Sequence, residues 1–164
     1  MLDGAQIVYL DKFDSPLPVA AYSRVGGRAA AGCVASGKAL LAALDEPEDL
    51  LRERLGTLEP HTPNSLVDYA ALRAELARTR ERGVALNREE WRLGVCGLGA
   101  PVFDARGRPV AAVGISVPSI RFGRAQVRAL SERLLETAAQ AAGTLGFRPA
   151  SVSPMSPPSR RQTP

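Results

Sequence analysis

The amino-acid sequence predicts an α+β domain in which helices flank a mostly antiparallel sheet. Two apolar runs, Val95–Phe103 and Val110–Val117, are separated by a short turn-forming segment around Gly107. A connection this short joins antiparallel neighbours, because a parallel crossover needs about a dozen residues. Apolar residues at helical period then predict a long final helix over Arg124–Leu145.

The remaining elements follow from changes of pattern along the chain. The predicted strands are Gln6–Phe13, Val19–Val25 (ended by Gly26-Gly27-Arg28) and Val84–Leu86. The predicted helices are Ala35–Leu44, a short helix between Pro47 and Gly56, and a helix from the capping-box sequence Ser65-Leu66-Val67-Asp68 to Arg82. The element order is therefore β-β-α-α-α-β-β-β-α, which is typical of an α+β fold.

The long hairpin is either a fully packed part of the core or one wall of a ligand site. Its strands are apolar at nearly every residue, which predicts that both faces of the hairpin are covered. Small or polar residues interrupt this pattern: Cys96, Gly97, Gly99, Gly114 and Ser116. Such gaps in a buried sheet either let a helix approach closely or leave room for a ligand.

Composition limits the possible classes of protein. A chain of 164 residues with 45% hydrophobic and 23% charged residues is typical of one globular domain with a sizeable core. Two cysteines form neither a disulfide framework nor a metal-type spacing, and no metal or cofactor is expected. No apolar run reaches the roughly 18 residues of a membrane helix. We therefore expect a cytoplasmic protein with no membrane partner.

The positive charge is concentrated at the end of the chain. Three of the four net charges come from Arg148, Arg160 and Arg161, which leaves +1 on residues 1–147. Nucleic-acid binding draws on clustered Lys and Arg, so the folded part is not expected to contact DNA. Residues 148–164 are rich in Pro, Ser and Arg and are predicted to be a disordered tail.

One motif is a near match to a phosphate-binding loop. The segment Gly32–Ala39 reads G-x-x-x-x-G-K but ends in Ala, where the motif needs a hydroxyl for Mg²⁺. The parallel strand that normally precedes such a loop is also missing from the predicted fold. A closely packed helix start is therefore a better interpretation of this segment than a nucleotide-hydrolysis site. The N–H groups at this helix start are still suited to a carboxylate.

Two further groups of residues are candidates for catalysis. Glu89 and Glu90 are adjacent, so one can face a cavity while the other is solvated; the competing interpretation is two surface acids paired with Arg88 and Arg92. Cys96 is a conceivable nucleophile with His61 as its base. A cysteine inside an apolar strand is more often a small core residue.

Three segments together resemble a known family. Residues 35–44 (ASGKALLAAL), 81–95 (ERGVALNREEWRLGV) and 100–118 (APVFDARGRPVAAVGISVP) resemble, in order and spacing, the effector-binding domain of IclR-type transcriptional regulators. The resemblance covers roughly residues 5–147. It implies a fold similar to GAF and PAS-like sensor domains, with residues 1–147 as the effector-binding domain.

The resemblance also implies partners. An N-terminal winged helix-turn-helix would normally precede Met1 and would be the only part that binds DNA. The domain is expected to form a homodimer or homotetramer. Its ligand is expected to be a small organic molecule, possibly a carboxylate or an aromatic compound.

By the same resemblance, seven residues surround the effector. Ala35 and Ser36 fall where relatives offer backbone amides to a ligand carboxylate, and Glu90 lies close by. Asn87 stands where the family usually has Asp, Gly97 where many members have a pocket cysteine, and Gly114 replaces a common serine. Ser116 matches the second serine of that motif. Strand alternation predicts that Cys96 faces the opposite side.

These departures from the family predict a roomier and less polar site, and hence a bulkier or more apolar effector. The leading interpretation is a non-catalytic ligand sensor of a transcriptional regulator. Two alternatives stay open: an enzyme that uses Glu90 or Cys96 in the same cavity, and a dimerisation module whose cavity is filled by side chains.

Overall fold

The computed structural model describes residues 1–16 and 24–148. Its strands are β1 (Leu2–Asp3), β2 (Gln6–Val8), β3 (Arg28–Ala30), β4 (Ala85–Arg88), β5 (Val95–Phe103) and β6 (Pro109–Pro118). Its helices are α1 (Ala35–Leu44), α2 (Glu48–Leu55), α3 (Tyr69–Arg82) and α4 (Arg124–Thr144), with a 3₁₀ turn over Ser119–Arg121 before α4. The predicted α+β class is confirmed.

The strands form two three-stranded antiparallel sheets, ordered β1-β2-β3 and β4-β5-β6. Helix α1 packs on one face of the second sheet, and α4 packs on the other. The apolar core is divided accordingly. One cluster joins the first sheet to α1, α2 and α3, and a second lies between β5 and α4.

The predicted hairpin is confirmed, with its first strand matching Val95–Phe103 and its second one residue longer at each end. The prediction that both faces of both strands are covered is wrong for β6. That strand lies at one side of the sheet order, and Gly114 and Ser116 are exposed. Strand β5 lies between two neighbours and is largely buried.

The N-terminal predictions need correction. Strand β2 stops at Val8 rather than Phe13, and Leu10 beyond it is exposed. Gly26-Gly27-Arg28 does not end a strand: Gly26 turns the chain at φ +76°, and Arg28 opens β3, which pairs with β2. Residues 17–23, which contain most of the predicted strand Val19–Val25, lie outside the described residues.

The predicted capping box is also wrong. Helix α3 begins at Tyr69, and the Asp68 carboxylate accepts the Ala71 N–H at 2.9 Å. Ser65 instead donates its hydroxyl to the carbonyl of Glu90 at 2.6 Å. The predicted helix end is confirmed, with Gly83 at φ +72°. The tail beyond Arg148 lies outside the described residues.

Candidate functional site

The start of α1 packs closely through two glycines, Gly99 of the second sheet and Gly37 of the helix itself, which lies against the segment after β3. A Cβ at Gly99 would lie 2.5 Å from the carbonyl carbon of Ala35 and 2.6 Å from the amide nitrogen of Ser36. A Cβ at Gly37 would lie 2.2 Å from the carbonyl oxygen of Ala31. Both positions require glycine because backbone meets backbone, and together they fix where α1 begins.

No side chain caps this helix start, since Val34 occupies the N-cap position. The first-turn N–H groups of a helix have no acceptor within the helix. The amides of Ala35 and Ser36 belong to this first turn and lie over the sheet. The helix dipole adds partial positive charge at the same end, which favours an anionic group.

The sheet beneath α1 carries the predicted site residues in rows. Asn87, Gly97 and Ser116 are direct partners across β4, β5 and β6. Ala85, Gly99 and Gly114 form the next row on the same face. We call the side of β5 and β6 that faces α1 the glycine face; it consists of Gly97, Gly99, Gly114 and Ser116.

The glycines of this face differ in the space around them. A Cβ at Gly97 would lie 3.0 Å from the carbonyl oxygen of Ile115, with the Ala35 Cβ at 3.7 Å and the Ser116 Oγ at 3.9 Å. A Cβ at Gly114 would have the Ser36 Cβ at 3.8 Å. Gly99 therefore serves close packing, whereas Gly114 leaves room for a side chain or a ligand atom.

Six of the seven predicted residues thus come together at the start of α1: Ala35, Ser36, Asn87, Gly97, Gly114 and Ser116. The seventh, Glu90, is held differently. Its carboxylate accepts two hydrogen bonds from the Lys38 ammonium, at 2.6 and 2.5 Å, and Lys38 is 0% exposed while Glu90 is 7% exposed. Glu90 therefore pairs with Lys38, and the interpretation that it is a surface acid paired with arginines is wrong.

The ion pair connects the two sides of the site. Glu90 donates its N–H to the Asn87 Oδ1 at 2.9 Å and accepts the Arg88 N–H at 3.2 Å. The carbonyl of Glu90 also accepts the Ser65 hydroxyl. Lys38 thus joins the first turns of α1 to the turn that holds the Asn87 side chain. Its burial in this ion pair also argues against a role for Lys38 in phosphate binding.

Cys96 faces away from these residues, as predicted. It is buried in the cluster between β5 and α4, beside Phe122. Burial raises the pKa of the Cys96 thiol above its ordinary value, and the negative charge of Glu89 raises it further. His61, the base considered for it, packs against Trp91, with the ring centroids 4.2 Å apart and the ring planes tilted by 59°.

A polar cleft of about 520 Å³ lies at the Cys96 end of β5. Arg88, Glu89 and Glu90 line it, together with Ser119 and Phe122. Glu89 has φ +61°, and its carboxylate accepts the Gly94 N–H at 2.6 Å. Within residues 1–16 and 24–148, no group of three or more His, Cys, Asp or Glu side chains is arranged to hold a metal ion.

This arrangement is that of an α+β domain in which the start of a helix packs on a sheet face with few side chains. A family model described as "Bacterial transcriptional regulator IclR C-terminal" matches residues 1–142. The chain belongs to this family.

Named relatives support the same classification. The transcriptional regulator XynR of Escherichia coli is 35% identical over 148 residues, which cover 90% of this chain and 58% of XynR. The probable regulator SauR of Cupriavidus necator is 36% identical over 124 residues, covering 74% of this chain and 48% of SauR. The chain therefore spans about half the length of these relatives.

Solved structures match the fold. The repressor BlcR of Agobacterium tumefaciens has a TM-score of 0.83 at 30% identity, covering 90% of this chain and 58% of BlcR. The C-terminal domain of Escherichia coli KdgR has a TM-score of 0.78 at 28% identity, covering 89% of this chain and 84% of that domain. No helix among the described residues is long and apolar enough to cross a membrane.

Proposed function

We propose that this chain is the effector-binding domain of a bacterial transcriptional regulator. The effector lies between the start of α1 and the glycine face. The observation that carries the proposal is the row Asn87–Gly97–Ser116, which faces the uncapped first turn of α1 across a sheet position without a side chain.

The chemistry of these groups favours a ligand with a carboxylate. The Ala35 and Ser36 amides suit its negative charge, and the Ser116 hydroxyl can donate a further hydrogen bond. Gly97 and Gly114 carry no polar side chain, and Gly114 also leaves space for ligand atoms. The ligand is therefore bulkier or more apolar than a two-carbon oxoacid.

In the whole regulator, effector binding shifts the balance between two arrangements of the protein and so changes its affinity for DNA. DNA contact is assigned to a separate N-terminal domain, since residues 1–147 carry little net positive charge. The regulator works in the cytoplasm as a homodimer or homotetramer. Family membership supports these assignments.

A thermal-shift series with glyoxylate, pyruvate, benzoate and phenylacetate tests the proposal. The aromatic acids are expected to raise Tm in a saturable manner and more than glyoxylate does, because bound ligand stabilises the folded state by mass action. Ser116→Ala should weaken this response. Ser131→Ala is the matched control, because the Ser131 hydroxyl only donates to Val127 within α4.

Two outcomes would contradict the proposal. A response to glyoxylate-sized acids alone would refute the larger effector. No response to any acid, with a clear loss of stability after Gly114→Leu, would favour the dimerisation module, because side chains that fill the site leave no room for a leucine.

An enzyme acting through Glu90 or Cys96 is the second candidate. The ion pair with Lys38 and the raised thiol pKa argue against these two residues as base and nucleophile. The regulatory function of the relatives argues in the same direction. Turnover of a bound acid that disappears in Cys96→Ser with unchanged affinity would support the enzyme.

A further inference from the structure

A second cavity, of about 560 Å³, lies toward the other end of α1. We call it the alanine cavity, because alanines form much of its lining: Ala39, Ala42 and Ala43 from α1, and Ala138, Ala139 and Ala142 from α4. It forms where β5 extends beyond β4. The pairing of these strands starts at Ala85 with Gly99, so Pro101 and Phe103 have no β4 partner.

The walls of this cavity are mostly apolar. Pro101 and Leu135 contribute to the lining, and Phe103 stacks on Phe147 with ring centroids 5.3 Å apart. The volume lies within the roughly 300–1,000 Å³ of sites for small organic molecules. An apolar molecule would gain free energy by leaving water for such a site.

One buried polar group in the lining has no partner. Thr79 is 2% exposed, and its hydroxyl makes no hydrogen bond among the described residues. Helical hydroxyls usually donate back to a carbonyl one turn earlier, as Ser131, Thr137 and Thr144 do in α4. The Thr79 oxygen is almost fully covered by neighbouring atoms, so a small shift of the cavity wall would let it pair with a polar group of a ligand.

The charges at the cavity balance each other. Arg80 and Asp45 both line it, and they pair with each other at 3.0 Å. A charged ligand would have to compete with this pair, whereas a neutral ligand would not. This differs from the start of α1, where the helix dipole favours an anion.

From these observations we propose that the alanine cavity is a second small-molecule site, which takes a neutral, mainly apolar compound with one hydroxyl or carbonyl group directed at Thr79. The site goes beyond the effector site proposed above and is separate from it. Because α1 contributes to both, occupancy of one is expected to change the affinity of the other.

Isothermal titration of the 164-residue chain with 2-naphthol, naphthalene and 2-naphthoate tests the proposal. One equivalent of 2-naphthol is expected to bind saturably, and Ala139→Phe, which fills the cavity, should weaken binding at least about ten-fold. Ala129→Phe is the matched control, since Ala129 lies on the same helix, is exposed and does not line the cavity. Thr79→Val should weaken 2-naphthol about three- to ten-fold and leave naphthalene unchanged.

Three results would overturn the proposal. One is the absence of saturable binding by any of the neutral compounds. Another is equal binding by Ala139→Phe and Ala129→Phe. The third is that the wild-type chain is a dimer, that Ala139→Phe is a monomer, and that 2-naphthol binds to neither of them. The cavity would then be an interface between two copies of the chain. Ser116→Ala separates the two sites, because it should weaken aromatic acids and leave 2-naphthol binding intact.

Discussion

The two faces of β5 are built in different ways. Toward α4 it presents side chains, Cys96, Leu98, Ala100 and Val102, which pack into an apolar core. Toward α1 it presents Gly97 and Gly99, and the helix start approaches the bare backbone. One strand therefore separates a face packed through side chains from a face on which a helix start lies directly against the backbone.

This difference explains how the two faces are stabilised. The α4 side gains free energy from buried apolar area. The α1 side has few side chains at the helix start and relies on close backbone contact and on the buried Lys38–Glu90 ion pair.

The largest effect is expected from breaking the ion pair on the α1 side. Lys38→Met leaves the Glu90 carboxylate buried without its partner, which should lower the free energy of unfolding by about 3–5 kcal/mol. Urea denaturation measures the change. The double variant Lys38→Met with Glu90→Leu should recover much of the loss, and a double variant as unstable as the single one would contradict this explanation.

A comparable loss is expected on the α4 side from a different cause. Leu98 is fully buried, and Leu98→Ala removes apolar contacts and leaves a cavity, at a cost of about 2–5 kcal/mol. Denaturant midpoints check the value. Because Leu98 faces away from α1, ligand affinity in the folded variant should stay unchanged, and a large loss of affinity would contradict the separation of the two faces.

Close packing at Gly99 predicts a smaller but clear effect. Gly99→Ala places a Cβ against the backbone of Ala35 and should cost about 1–3 kcal/mol, with weaker ligand binding because α1 must shift. Gly143→Ala is the control, since nothing lies within 4 Å of its Cβ position in α4. The control should be stabilised by roughly 0.5–1 kcal/mol. An unchanged free energy of unfolding in Gly99→Ala would show that α1 does not pack closely against β5.

The smallest effect on stability is expected at Gly114. Its nearest neighbours would lie 3.6 Å or more from a Cβ, so Gly114→Ser should change the free energy of unfolding by no more than about 0.5 kcal/mol. The added hydroxyl narrows the site and makes it more polar. Thermal shifts should move in favour of smaller acids, and an unchanged preference would argue that Gly114 does not border the ligand.

Local patterns predicted much of this architecture. The bounds of β5 follow from a run of apolar and small residues without charges, and the opposite orientations of Cys96 and Gly97 follow from strand alternation. Strand β3 was missed because Gly26-Gly27 is typical of a strand end and the pairing with β2 is not visible in sequence. The start of α3 was misplaced because Ser65 and Asp68 are both good N-cap residues.

Long-range contacts were not predictable in the same way. Lys38 and Glu90 are 52 positions apart, and no periodicity connects them. Lysines are rarely as buried as Lys38, which is 0% exposed. Neither the resemblance of residues 32–39 to a phosphate-binding loop nor the helical position of Lys38 therefore indicated a buried ion pair. Residues from α1, α3, β5 and α4 together line the alanine cavity, so no single segment of the sequence predicts it.

The most direct test of the central claim is the response of backbone amides to an aromatic acid such as phenylacetate, measured by two-dimensional ¹⁵N NMR. The α1-side site predicts the largest shifts at Ala35, Ser36, Gly97 and Ser116, with small changes along the α4 helix. Shifts concentrated at Leu135, Ala138 and Phe147, with Ala35 and Ser36 unaffected, would contradict it.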